Sequence, residues 1–137
     1  MRLVSPTAEA DGEAPLPTAG VADRAASELP ASRLRRVTQY MQEHLQGELR
    51  LAELSALVHM SPYHFARLFK RSTGLPPHRF LVRRRIDEAQ ALLAARTVPI
   101  AEIARLVGFR TPSHFTTTFR RITGMTPRAY RSGAGAA

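Results

Sequence analysis

The chain has 137 residues, enough for one domain of ordinary size, and its twenty Lys and Arg residues outnumber eleven Asp and Glu. The excess is uneven: residues 1–32 carry two arginines against five acids, whereas residues 33–137 carry eighteen basic residues against six acids, which favours a polyanionic partner, nucleic acid before an anionic membrane. The lack of cysteine excludes disulfides, cysteine-ligated zinc and thiol catalysis; with no apolar run near the roughly 18 residues of a membrane span and no signal-peptide pattern, a cytoplasmic location without membrane partners is expected.

Residues 1–31 are rich in Ala, Pro, Glu and Gly and poor in large apolar side chains. They cannot bury enough surface to offset the entropy of ordering, so a disordered tail is expected. From Ser32, Leu34, Val37, Met41 and Leu45 recur at helical spacing, an amphipathic helix closed by Gly47. A short helix follows over Leu51–Val58, with Leu51, Leu54 and Val58 as its apolar side. After His59 and Met60, Ser61 can cap the next helix and Pro62 suits its first position. Phe65, Leu68 and Phe69 then share one face, and Gly74 can end the helix in the left-handed conformation. Beyond Leu75-Pro76-Pro77, a long helix over Pro77–Ala95 carries Val82, Ile86, Ala89 and Leu93 as a stripe. It reaches roughly 28 Å at a rise of 1.5 Å per residue. Ile100–Val107 is another short helix, a last one starts at Thr126 and Pro127, and residues 133–137 form a flexible tail.

The second half of this pattern repeats the first. IAEIARLV at 100–107 echoes LAELSALV at 51–58, and Thr111–Gly124 (TPSHFTTTFRRITG) echoes Ser61–Gly74 (SPYHFARLFKRSTG). The offset grows by one between the two matches, because Gly108-Phe109-Arg110 stands where the first copy has only His59-Met60. Two copies are too few for a solenoid, so the expected fold is all-α: two helix-turn-helix subdomains joined by a long central helix. In such a unit the second helix projects from the surface. The first helix needs a small residue where the two approach, supplied by Ser55 and Ala104. The turn needs tolerance of positive φ, which Gly108 supplies freely and His59 less well. With Phe65, Phe69, Phe115 and Phe119 turned to the core, the opposite face offers Tyr63, Ala66 and Arg67 in the first copy. In the second it offers Ser113, Thr116 and Thr117. Helix, turn and basic second helix together are the footprint of groove binding.

On these residues Leu51–Tyr130 resembles the DNA-binding domain of the AraC/XylS family of bacterial transcription regulators. The motifs are LAELSALVHMSPYHFARLFKRSTGLPPHRFL, RRIDEAQALL, IAEIARLVGF and HFTTTFRRITGMTPRAYR. With the helix from Ser32 the resemblance spans 32–132. It implies about seven helices and two recognition helices entering successive major grooves of double-stranded DNA, about 34 Å apart. It makes Tyr63, Ala66, Arg67, Ser113, Thr116 and Thr117 the base-facing positions, with Arg67 suited to guanine O6 and N7. Ser61, Lys70, Arg71, Thr111, Arg120 and Arg121 become phosphate contacts, which position without specifying. Activation through RNA polymerase is implied by the resemblance alone. The chain departs from the family at Thr117, where relatives often carry arginine, and at Pro76, where a Ser or Thr cap is common. On the length of its segments, no small-molecule or dimerisation domain of the kind usual in relatives is expected among these residues.

Other readings have less support. His44, His59, His64, His78 and His114 show no metal-binding spacing, and no nucleophile pattern appears, so neither a metal, a cofactor nor an enzymatic activity is expected. The serious rival is a non-specific nucleoid-type DNA binder, or an interaction module that modulates a larger regulator.

Overall fold

Proline and short polar caps set where most helices of this chain begin. The computed structural model describes residues 28–134, and these form seven helices without a strand. They are α1 (Ala31–Glu43), α2 (Leu51–Leu57), α3 (Pro62–Thr73), α4 (Pro77–Ala95), α5 (Ile100–Leu106), α6 (Pro112–Thr123) and α7 (Pro127–Ala134). Four of them start on proline, whose missing N–H costs nothing in a first turn and whose φ is already helical. The chain divides into two compact units. Residues 28–40 and 50–78 belong to the first, and residues 41–49 and 79–134 to the second.

In the first unit, Val37, Leu54, Val58, Phe65, Leu68 and Phe69 are buried. The rings of Phe65 and Phe69 lie 5.6 Å apart at 49°, a tilted pair one helical turn apart. Burying a side chain of this size contributes about 1.5–3 kcal/mol, so the two phenylalanines are the unit's largest apolar anchors. Ser55 is buried with its hydroxyl donating to the Ala52 carbonyl at 3.1 Å. The expected tail, residues 1–31, lies outside the described residues as far as position 27. Its last residues differ from expectation: Leu29 is buried, and its N–H donates to Ser72 Oγ at 2.9 Å. Helix α1 accordingly starts at Ala31, one residue early, with Leu34 N–H bonded to the Pro30 carbonyl.

The second unit is built around Ile86, Ala89, Leu93, Ile103, Ala104, Val107, Phe109, Phe115 and Phe119. Successive ring contacts run Phe109–Phe115 at 5.4 Å, Phe115–Phe119 at 5.7 Å and Phe119–Tyr130 at 5.6 Å. On α4 the buried side is wider than the single stripe 82–86–89–93: Leu81 is buried and Val82 only half-buried. Helix α1 does not run on to Gly47 but stops at Glu43, where bonds from His44 N–H to the Met41 carbonyl and from Gly47 N–H to the His44 carbonyl tighten the chain. Leu45 is still buried, so the apolar spacing outlasts the helix. The reason lies in Arg85, whose Nε and Nη2 donate to the Leu45 and Gly47 carbonyls at 3.0 and 2.8 Å. These bonds satisfy carbonyls of the turn that follows the helix. At the C-terminus α7 continues to Ala134, two residues into the expected tail, and 135–137 lie outside the described residues.

Candidate nucleic-acid interface

Each unit holds one helix-turn-helix whose second helix is fixed at both ends. At α3 the Ser61 hydroxyl oxygen accepts from His64 N–H at 3.3 Å; at α6 the Thr111 hydroxyl oxygen accepts from His114 N–H at 3.0 Å. Both caps have extended backbone, the conformation an N-cap requires. At the other end Gly74 and Gly124 are left-handed, with φ of 87° and 85°, and their N–H groups return to the Lys70 and Arg120 carbonyls. Thr73 and Thr123 donate to the Phe69 and Phe119 carbonyls at 2.9 and 2.8 Å. The two helices are therefore closed by the same bonds at positions fifty residues apart.

The faces are set by the apolar spacing. Phe65, Leu68 and Phe69 turn inward on α3, and Phe115, Thr118 and Phe119 on α6. Among the expected base-facing residues, Tyr63 is 77% exposed and Arg67 is exposed. Ala66 is half-buried, so less of it is accessible than of Thr116, its exposed counterpart. Ser113 and Thr117 are exposed. The expected phosphate residues Ser61, Lys70, Arg71, Thr111, Arg120 and Arg121 are all exposed. Ser61 and Thr111 also use their oxygens as helix caps, which leaves each O–H free to donate. Lys70, Arg71, Arg120 and Arg121 fall in the last turns, where the helix dipole favours cations.

The turns preceding these helices differ. His59 in the first unit has φ of 58°, and Gly108 in the second has φ of 100°. Met60 N–H bonds to the Ser55 carbonyl at 3.1 Å, and Phe109 N–H bonds to the Ala104 carbonyl at 3.0 Å. Phe109 is thus the counterpart of Met60, and the inserted residue is Arg110, which is exposed. The one-residue change in offset signalled an insertion, but only the hydrogen bonds say which residue it is. Thr118 was likewise hidden in the sequence: it is buried at the position of Leu68, and no hydrogen bond satisfies its hydroxyl among the described residues.

The five histidines are exposed. No group of three or more His, Cys, Asp or Glu among the described residues could hold a metal ion, and no helix among them is long and apolar enough to cross a membrane.

A family model described as a helix-turn-helix domain matches residues 54–133. "Probable transcriptional regulator LumQ" of Photobacterium leiognathi is 38% identical over 95 residues, covering 69% of this chain and 38% of that protein. Regulatory protein PocR of Salmonella typhimurium is 37% identical over 100 residues, covering 73% of this chain and 33% of that protein. The chain thus spans well under half the length of these curated relatives. Among solved structures, the DNA-binding domain of AdpA, a global transcriptional factor in complex with a target DNA, superposes with a TM-score of 0.71 at 35% identity. It covers 76% of this chain and 94% of that one.

Proposed function

This chain belongs to the AraC/XylS family of transcription regulators, and from that premise we propose that it binds DNA sequence-specifically, laying α3 and α6 in successive major grooves. The observation that carries the reading is the matched pair of capped helices, each with an apolar face buried and a polar or basic face open. A protein that packs DNA needs only phosphate contacts, whereas these helices also expose Tyr63, Arg67, Ser113, Thr116 and Thr117 to solvent. The AdpA complex, a relative solved on a target duplex, supports the same use of the fold.

In this reading residues 32–132 are the DNA-binding part. Tyr63, Ala66 and Arg67 meet base edges in one groove, and Ser113, Thr116 and Thr117 meet them in the next. Ser61, Lys70, Arg71, Thr111, Arg120 and Arg121 hold the flanking phosphates. The first unit carries more of the sequence discrimination, because Arg67 can make a bidentate bond to guanine and Thr117 cannot. The protein acts in the cytoplasm without catalysing a reaction, and it activates transcription by contact with RNA polymerase.

Selection of duplexes from a random pool, followed by competition between selected and shuffled DNA at physiological salt, tests the proposal. A marked preference for the selected duplex is expected. Equal competition would sink sequence-specific regulation and leave a non-specific DNA binder.

A further inference from the structure

We propose that Arg110 is a phosphate anchor for the second recognition helix, an inference that rests on the DNA-binding reading above. Three observations support it. Arg110 is the residue inserted between the helix-turn-helix turn and the cap of α6, as the bonds Phe109 N–H to Ala104 and His114 N–H to Thr111 establish on either side of it. Its backbone is held in place by its neighbours. Phe109 is buried, with its ring 5.3 Å from that of His114 and 5.4 Å from that of Phe115, and Thr111 is committed to capping.

Arg85, Arg96, Arg105 and Arg131 each bond to a carbonyl or a carboxylate. Arg110 is exposed and makes no such bond among the described residues. A fixed backbone carrying an uncommitted guanidinium suits a phosphate, which matches the planar fork of donors.

The insertion also balances the two units. Helix α3 offers Arg67, Lys70 and Arg71, whereas α6 offers only Arg120 and Arg121, with Thr117 at the position of Arg67. Arg120 and Arg121 lie at the far end of α6. Arg110 adds a cation just before its N-cap Thr111, at the end where helix-turn-helix proteins meet the groove.

The test uses the full chain and its Arg110→Ala and Arg110→Lys variants. Each is titrated over a range of salt against a duplex selected by the wild-type protein and against a shuffled duplex. For Arg110→Ala we expect a logarithmic salt slope smaller by about 0.9, the value for one released counterion, and the same fold-loss on both duplexes. Arg110→Lys should keep the slope, and thermal midpoints should match wild type because the side chain is exposed and makes no hydrogen bond or ion pair among the described residues. An unchanged slope in Arg110→Ala overturns the inference, as does a loss confined to the selected duplex, which would mark a base contact. A wild-type chain showing no salt-dependent binding would remove the DNA-binding reading itself, and the Arg110 assignment with it.

Discussion

The side chain of Arg85 fills the space that any side chain at Gly108 would need. A β-carbon on Gly108 would lie 2.3 Å from the Leu45 carbonyl oxygen and 2.7 Å from Arg85 Nε, the two atoms that hydrogen-bond to each other at 3.0 Å. The turn of the second helix-turn-helix is thus packed directly on the bond that holds the 41–49 segment to its unit. Arg85 is half-buried there, and burial holds its guanidinium below the ordinary value.

Gly108→Ala should therefore be far more damaging than a glycine change at a helix end. Positive φ alone costs a non-glycine residue about 1–2 kcal/mol, and at Gly124, where nothing lies within 4 Å of an added β-carbon, that is the whole cost. At Gly108 the Leu45 carbonyl must also move, which brings the expected loss to about 2–4 kcal/mol. Denaturant unfolding of Gly108→Ala and Gly124→Ala measures the difference. Equal losses would show that the Arg85–Leu45 bond adjusts freely.

Thr118→Val should stabilise the second unit. The hydroxyl is buried without a partner among the described residues, at the place where the first copy has Leu68. An unsatisfied buried polar group costs about 1–3 kcal/mol, and Val has nearly the same shape. A gain of about 1 kcal/mol is expected by thermal or chemical unfolding. A loss would mean that the hydroxyl is satisfied, for instance by a bound water.

The two roles assigned to basic residues on the recognition helices are separable. Arg67→Ala should cost about 1–3 kcal/mol on a selected site and relax preference at one base pair. Lys70→Ala or Arg120→Ala should weaken selected and random duplexes alike and lower the salt slope by roughly one. Anisotropy titrations on both duplexes at several salt concentrations distinguish these patterns. An equal loss on random DNA would move Arg67 to the phosphate contacts.

Alkaline pH should weaken the first unit through Tyr40. Its hydroxyl donates to Glu53, and that hydrogen bond, with burial and the nearby negative charge, raises the phenol above its ordinary value of 10.0. The folded state therefore favours the protonated form. The stabilisation is fully present below the unfolded value and is lost as pH rises through the higher folded value. Subtracting the Tyr40→Phe absorbance titration from wild type should give a phenolate midpoint above 10, and the variant should lose this part of the alkaline destabilisation. A midpoint at the ordinary value would break the Tyr40–Glu53 link.

Much of this architecture was legible in the residues. The punctuation of Ser61-Pro62 and Gly74, echoed by Thr111-Pro112 and Gly124, placed both recognition helices, and the structure caps them with the expected bonds. The central helix runs from Pro77 to Ala95 as read. Such features are local: a cap, a proline or a left-handed glycine acts within one helical turn, and a period of 3.6 identifies the face that turns inward.

Tertiary structure decided what depends on contacts far apart in sequence. Leu29 is tied to the fold by Ser72, 43 residues away, which accepts its N–H. The 41–49 segment belongs to the second unit because Arg85, about 40 residues on, holds its carbonyls. Gly108 is required by packing as well as by φ, and the inserted residue is Arg110, fixed by the bond from Phe109 to Ala104. The repeated helix-turn-helix, its caps and the inward faces of α3 and α6 were legible in the sequence, because these follow from local propensity and spacing. Side-chain-to-backbone bonds across the fold have no period, so their partners emerge only when the chain is packed.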